Sequence, residues 1–181
     1  MNQPIGIAPA LRPEEAKEKH TITVLVDNEP GVLARVIGLF SGRGYNIDSL
    51  TVSETEHERS LSRITIVTTG TPMVIDQIKN QLARLVPVHR VADLTADMRD
   101  AVERELALVK VSGRGEQRLE ALRLAQAFDA RTIDATLTSF VFEITGATAE
   151  IERFIALMAS VGLVEVSRTG IAAITRGSDP T

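Results

Sequence analysis

Apolar positions along this chain follow two rhythms, one alternating and one near the 3.6-residue period of a helix. Their succession predicts the elements. Thr21 to Val26 is β-branched and alternating, as a half-buried strand should be. Val32, Leu33, Val36, Ile37, Leu39 and Phe40 then recur at helical spacing, and the glycines of Ser41-Gly42-Arg43-Gly44 predict a stop. Asn46 to Val52 predicts a second strand and Leu61 to Thr68 a third, joined by the charged tip Glu54 to Arg59. Pro72 opens a helix carrying Val74, Ile75, Ile78, Leu82 and Leu85, and Pro87 to Leu94 closes the unit as a strand. The order is βαββαβ, that of the ferredoxin-like split unit.

A second cycle follows a polar stretch whose charges alternate. Glu105 to Val111 reads as a strand, Glu116 to Phe128 as a helix, Thr132 to Thr138 and Ser139 to Ile144 as strands, Ala147 to Val161 as a helix, and Leu163 to Arg168 as a strand. The same order returns at an offset of roughly 80 residues, which reads as a structural duplication. The fold class expected is α+β with two ferredoxin-like units. The organisation expected is an arm over 1–19, a first domain over 20–95, a linker over 96–104, a second domain over 105–175 and a tail over 176–181.

Composition narrows the function. Apolar residues make up 44% of the 181 positions and charged residues 24%, the balance of a globular protein, and no stretch approaches a membrane span. A net charge of −4, with 3% aromatic residues and no tryptophan, argues against nucleic acid, since little is left to neutralise phosphates or stack bases. The absence of cysteine excludes disulfide scaffolds, thiolate metal sites and cysteine nucleophiles, and a cytoplasmic setting fits. His20, His57 and His89 fall in the arm, at the hairpin tip and at a strand start, with no spacing suggesting zinc or a triad; each is expected to be solvated. No serine sits in a Gly-x-Ser-x-Gly elbow, so the expectation is a protein that does no catalysis alone.

Binding is the better expectation. Asp27-Asn28-Glu29-Pro30-Gly31 lies where the first strand gives way to the first helix. Pro30 is expected at the helix start, with the acidic and amide residues before it capping the first-turn amides, and a plain cap would explain such a turn. Free first-turn amides also favour a carboxylate, glycine admits a ligand close to the backbone, and the amides of Asn28 and Asn46 offer donor and acceptor together. If the second strand begins at Asn46, both asparagines stand at the same end of the first helix. Ser112-Gly113-Arg114-Gly115-Glu116, the counterpart turn, lacks the spacing of a phosphate loop and reads as a flexible turn.

The run Asp27 to Phe40, followed by Arg43-Gly44-Tyr45-Asn46-Ile47-Asp48-Ser49-Leu50-Thr51-Val52, resembles the ACT domain of the acetolactate (acetohydroxyacid) synthase small regulatory subunit. Val102 to Leu106, with Leu108 to Val111, is similar to the start of that family's C-terminal domain, and the likeness extends to about Gly170. The resemblance implies a first unit that is an ACT domain and a chain with neither activity nor cofactor of its own. Such subunits activate a catalytic large subunit, which uses thiamine diphosphate, Mg²⁺ and FAD to join pyruvate to pyruvate or 2-oxobutyrate. They confer feedback inhibition by valine on branched-chain amino-acid synthesis and form homodimers through their ACT domains. By resemblance, valine belongs at the dimer interface near Asn28, Gly31 and Asn46, with Val32, Leu33 and Ile47 as neighbours. The hairpin tip, Ser53, Glu54, Thr55, Glu56, His57, Glu58, Arg59 and Ser60, is the candidate contact with the catalytic subunit by the same analogy. Departures are the long N-terminal arm and Ala34, where some relatives carry a hydroxyl. A free-standing ACT amino-acid sensor serving another enzyme is the alternative.

Overall fold

A computed structural model describes residues 16–56, 60–95, 101–179 and 181. The first unit runs β1 (Glu18–Asp27), α1 (Val32–Ser41), β2 (Ser49–Glu56), β3 (Leu61–Gly70), α2 (Pro72–Leu82) and β4 (Val88–Asp93). Its strands form an antiparallel sheet in the order β2-β3-β1-β4. Because side chains alternate along a strand, Ile22, Val24 and Val26 of β1 and Ile64 and Ile66 of β3 point to one face. There they close a core with Val36 and Phe40 of α1 and Ile75, Ile78 and Leu82 of α2.

The second unit runs β5 (Ala101–Ser112), α3 (Glu116–Ala127), β6 (Arg131–Ala135), β7 (Ser139–Gly146), α4 (Thr148–Ala159) and β8 (Leu163–Arg168), followed by β9 (Ala172–Thr175). Its sheet has the matching order β6-β7-β5-β8. Ala107, Val109 and Val111 pack with Phe140, Phe142 and Ile144 against Ile151, Phe154 and Met158. Phe142 is at the centre, with ring centroids 5.3 Å from Phe140 and 6.4 Å from Phe154.

Several boundaries differ from expectation. Glu18 and Lys19, assigned to the arm, belong to β1, where they pair with Gly70 and Thr69; residues 1–15 lie outside the described residues. The stretch expected to be linker is strand over 101–104, because β5 is long enough to serve two partners. Its first part pairs with β9, a strand the pattern did not announce, and its remainder pairs with β7 and β8. The strand expected over Thr132 to Thr138 ends at Ala135. There the Thr136 hydroxyl accepts from the Thr138 and Ser139 amides at 3.2 and 3.0 Å and holds a turn instead.

The β5–β9 ribbon joins the two units. Ile171 and Ala173 pack with Val67 and Leu94 on the side of the first sheet away from its helices, and on that side Thr21 and Thr23 are only 4% exposed. Next to the ribbon, Gly170 adopts φ +82° and approaches β2 so closely that a Cβ there would meet the Ser49 and Thr51 hydroxyls at 2.7 Å. Among the described residues no helix is long and apolar enough to cross a membrane.

Candidate functional site

The turn from Asn28 to Gly31 is positioned from both sides. The Asp27 amide donates to the Pro87 carbonyl at 2.9 Å, the Asn28 amide donates to the Ser60 carbonyl at 2.6 Å, and the Asp27 carboxylate sits 2.6 Å from His89 Nε2. The cap differs from the one expected. Gly31, in the left-handed conformation at φ 87°, is the N-cap of α1, and no side chain caps the helix. Pro30 therefore stands outside the helix. Val32 N reaches Glu29 O at 3.3 Å and Arg35 N reaches Gly31 O at 3.1 Å, which leaves the Leu33 and Ala34 amides without an acceptor among the described residues. A Cβ on Gly31 would meet nothing within 4 Å, so the approach to these amides is open.

α2 begins differently. The Thr71 hydroxyl accepts from the Val74 amide at 3.4 Å, its carbonyl accepts from the Ile75 amide at 3.0 Å, and Pro72 removes a donor, which leaves only the Met73 amide without an acceptor among the described residues. An uncapped first turn beside an open glycine concentrates partial positive charge where an anion can reach it.

Asn46 lies before β2 rather than in it. Its side chain donates to Asp48 Oδ1 at 2.5 Å, its carbonyl accepts from Thr68 Oγ1 at 2.6 Å, and Asp48 accepts from Thr69 Oγ1 at 2.8 Å. These bonds hold a turn after Gly44 (φ 69°) and delay β2 until Ser49. The consequence is spatial. Asp27, next to Asn28, pairs with Leu61 at the start of β3, whereas Asp48 N bonds to Val67 O near its end. Since Val67 pairs with Thr21, the two asparagine turns are separated by about six residues of β1, roughly 20 Å at the strand rise. Within one chain Asn28 and Asn46 stand at opposite ends of the sheet, contrary to the expectation that both lie at the start of α1.

The neighbours divide as well. Val32 is a core side chain at 4% exposure, Leu33 faces outward at 38%, and Ile47 packs partly against the first core. At the hairpin, pairing continues to Glu56 opposite Leu61, with an irregularity after Glu54, so the strand consumes part of the expected tip. Ser53, Glu54 and Thr55 are exposed on β2, Ser60 (φ 49°) anchors Asn28, and His57, Glu58 and Arg59 lie outside the described residues.

Two histidines expected to be solvated have carboxylate partners: His89 with Asp27, and His20 Nδ1 with Asp93 at 3.0 Å. Asp93 is also within 3.8 Å of Lys79. Lys79 is held above its ordinary pKa mainly by its hydrogen bond to Asp76, with burial opposing and Asp93 adding attraction.

Between the units, Arg168 makes two bonds to Glu105, Nε at 2.8 Å and Nη2 at 2.6 Å, on the wall of a cavity of about 370 Å³ shared with Lys19, Asp48 and Ser49. This pair raises the pKa of Arg168 further. The Glu105 hydrogen bond is the first cause, burial opposes it, and the charges of Glu105 and Glu152 add to it. With the partners 63 positions apart in sequence, no local motif marks it.

Comparison with known proteins accounts for both units. The family described as AHAS small subunit-like ACT domain matches residues 22–90, and the family described as small subunit of acetolactate synthase matches residues 104–177. The chain is 46% identical over 160 residues to a probable acetolactate synthase small subunit of Archaeoglobus fulgidus, covering 88% of this chain and 98% of that one. It is 42% identical to the acetolactate synthase isozyme 3 small subunit of Salmonella typhimurium, covering 88% and 96%. The crystal structure of the acetolactate synthase small subunit from Thermotoga maritima superposes with a TM-score of 0.80 at 38% identity, covering 90% of this chain and 99% of that one. A βαββαβ unit with an open, uncapped Asn28–Gly31 turn, a second unit of the same order, and relatives spanning nearly the whole chain lead to one assignment: this protein belongs to the acetolactate synthase small-subunit family.

Proposed function

We propose that this chain is a regulatory subunit that binds and activates the catalytic large subunit of acetolactate synthase and makes it sensitive to valine. In this reading the thiamine diphosphate, Mg²⁺ and FAD belong to the catalytic partner, and this chain contributes recognition and control. The carrying observation is the separation of Asn28 and Asn46 to opposite ends of one sheet. A two-fold axis beside the exposed edge strand β2 brings the Asn28–Gly31 turn of one copy toward the Asn46–Ile47 turn of another, as an isologous dimer requires. Each copy then supplies half of each of two equivalent sites.

The chemistry suits an α-amino acid. The free Leu33 and Ala34 amides receive the carboxylate, the asparagine carbonyls accept from the ammonium, and the outward Leu33 with Ile47 offers apolar surface to a branched side chain. Valine controls the partner because it binds one dimer arrangement better than another.

Mixing complementary variants tests the shared site. Asn28→Ala and Asn46→Ala chains each lose valine affinity by about tenfold, the worth of one hydrogen bond at a buried site. A mixed dimer carries one site with both substitutions and one with neither. Calorimetry on an equimolar, fully exchanged mixture should therefore recover sites of native affinity, about a quarter as many as in the wild type, because half the dimers are mixed and each of those carries one such site. Recovery of none places both asparagines within one chain's site or outside it. Activation and valine inhibition are read by adding the wild-type chain to a matched large subunit; the absence of both overturns the regulatory reading.

A further inference from the structure

A groove of about 350 Å³ runs between α1 and α2 on the outer side of the first unit, and arginines line it: Arg35 on α1, Arg43 just past its end, and Arg84 just past α2. Among the described residues no acidic side chain lines the groove and no carboxylate is ion-paired with any of the three. Elsewhere on this acidic chain arginines do find carboxylates, as Arg123 does with Glu120 and Arg131 with Glu143. Three like charges around one depression repel one another, and no carboxylate among the described residues lies in the groove to offset that.

The floor is apolar, formed by Leu39 and Leu85, and the next residue along the chain, Val86, is 95% exposed. Arginine forks around an apolar floor are the composition of a protein-binding surface, where guanidinium groups bond carboxylates two at a time and the floor takes a hydrophobic anchor. The shape also selects the occupant. The groove is shallow, all three arginines are exposed, and Arg35 and Arg43 start roughly 12 Å apart at the helical rise. A pocket for a small anion encloses most of its ligand, whereas charges spread along an open groove match an extended acidic segment.

We propose that this groove is a docking surface for an acidic segment of the catalytic large subunit, with Arg35, Arg43 and Arg84 as its charge-reading residues. The inference rests on the partnership stated under the proposed function. It adds a contact distinct from the hairpin tip and from the amino-acid turns.

The test measures association of the full chain with a matched large subunit at low and at physiological salt. The variants are the double Arg35→Glu, Arg84→Glu chain, the single Arg43→Glu chain, and Arg153→Glu on the exposed side of α4 as a charge-matched control. Because all four side chains are exposed, unchanged circular dichroism is expected. The double reversal should slow association by about tenfold or more at low salt and flatten its salt dependence, the signature of lost electrostatic steering. Arg43→Glu should have a smaller effect in the same direction, and Arg153→Glu should stay within about twofold. Association and salt dependence unchanged in the double variant overturn the docking surface while leaving the partnership intact. If the wild-type chain forms no complex, the partnership reading and this inference fall together. Titration with inorganic pyrophosphate gives the other arm. Tight binding that the double reversal abolishes, with large-subunit association untouched, makes the groove a small-anion site and overturns docking.

Discussion

The two units share an order of elements and differ in what happens to the side of the sheet that faces away from the helices. In the first, Thr21, Thr23 and Thr65 are nearly inaccessible on that side, where Ile171 and Ala173 from the far end of the chain pack with Val67 and Leu94. In the second, Leu108 is 38% exposed on the corresponding side, and ion pairs cross it, Lys110 to Glu165 at 2.7 Å and Arg131 to Glu143 at 2.9 Å. The lesson is that duplication carries over the core, because strand alternation and helix periodicity repeat. It does not carry over the covering, which comes from a segment outside the repeated order.

The first helices diverge in the same way. α1 buries Val32, Val36, Leu39 and Phe40 and leaves its uncapped start open beside Gly31. α3 also starts without a side-chain cap, at Gly115 (φ 55°), but buries only Ala121 and Ala125, and Arg118 lies 3.9 Å over the Phe140 ring. Only the first turn is accompanied by a candidate second half elsewhere on its sheet, at Asn46. Two uncapped turns with different surroundings can therefore occupy equivalent places in two copies of one topology.

The largest effect should come from the shared feature, the core. Phe142→Ala removes a fully buried ring and should cost about 3–5 kcal/mol. In urea denaturation the loss should fall on the second unit, with the first unit's amides retaining hydrogen-exchange protection; equal loss in both would mean that the units unfold as one. The covering comes next. Gly170→Ala forces a side chain onto a left-handed residue and against the Ser49 and Thr51 hydroxyls. Backbone strain alone costs roughly 1–2 kcal/mol. Faster hydrogen exchange at β2 with the second core unaffected would identify the ribbon contact as the point of failure, and unchanged exchange at β2 would show that the contact contributes nothing.

The smallest effect belongs to the bare side. The Glu165 carboxyl is held below its ordinary pKa first by its hydrogen bond from Lys110 and then by that residue's charge. A depressed folded-state pKa contributes stability above the unfolded-state value and loses it as pH falls through the folded-state one. Any contribution is therefore present at neutral pH and lost on acidification, and at an exposed pair it is slight. Lys110→Met should return the Glu165 titration, followed by NMR, to the ordinary carboxylate range with the melting temperature almost unchanged. A large fall in melting temperature would mean that the bare side is held by its ion pairs.

Sequence alone determined the duplicated βαββαβ order, most of both cores and the place of the Asn28–Gly31 turn between β1 and α1, because periods of 2 and 3.6 and a glycine-containing strand-to-helix junction are local properties. It misjudged the cap, since Asp27 is drawn to His89 and Gly31 takes the N-cap itself. It also could not announce β9: Ala172 to Thr175 is too short to show a period, and its partner lies about 70 residues earlier. Tertiary structure alone decided that Asn28 and Asn46 stand apart, that Arg168 finds Glu105, and that Arg84 joins Arg35 and Arg43 on one groove. The reason is the same in each case. Which surfaces meet depends on strand order and crossover, and these set distances between residues that no local pattern relates.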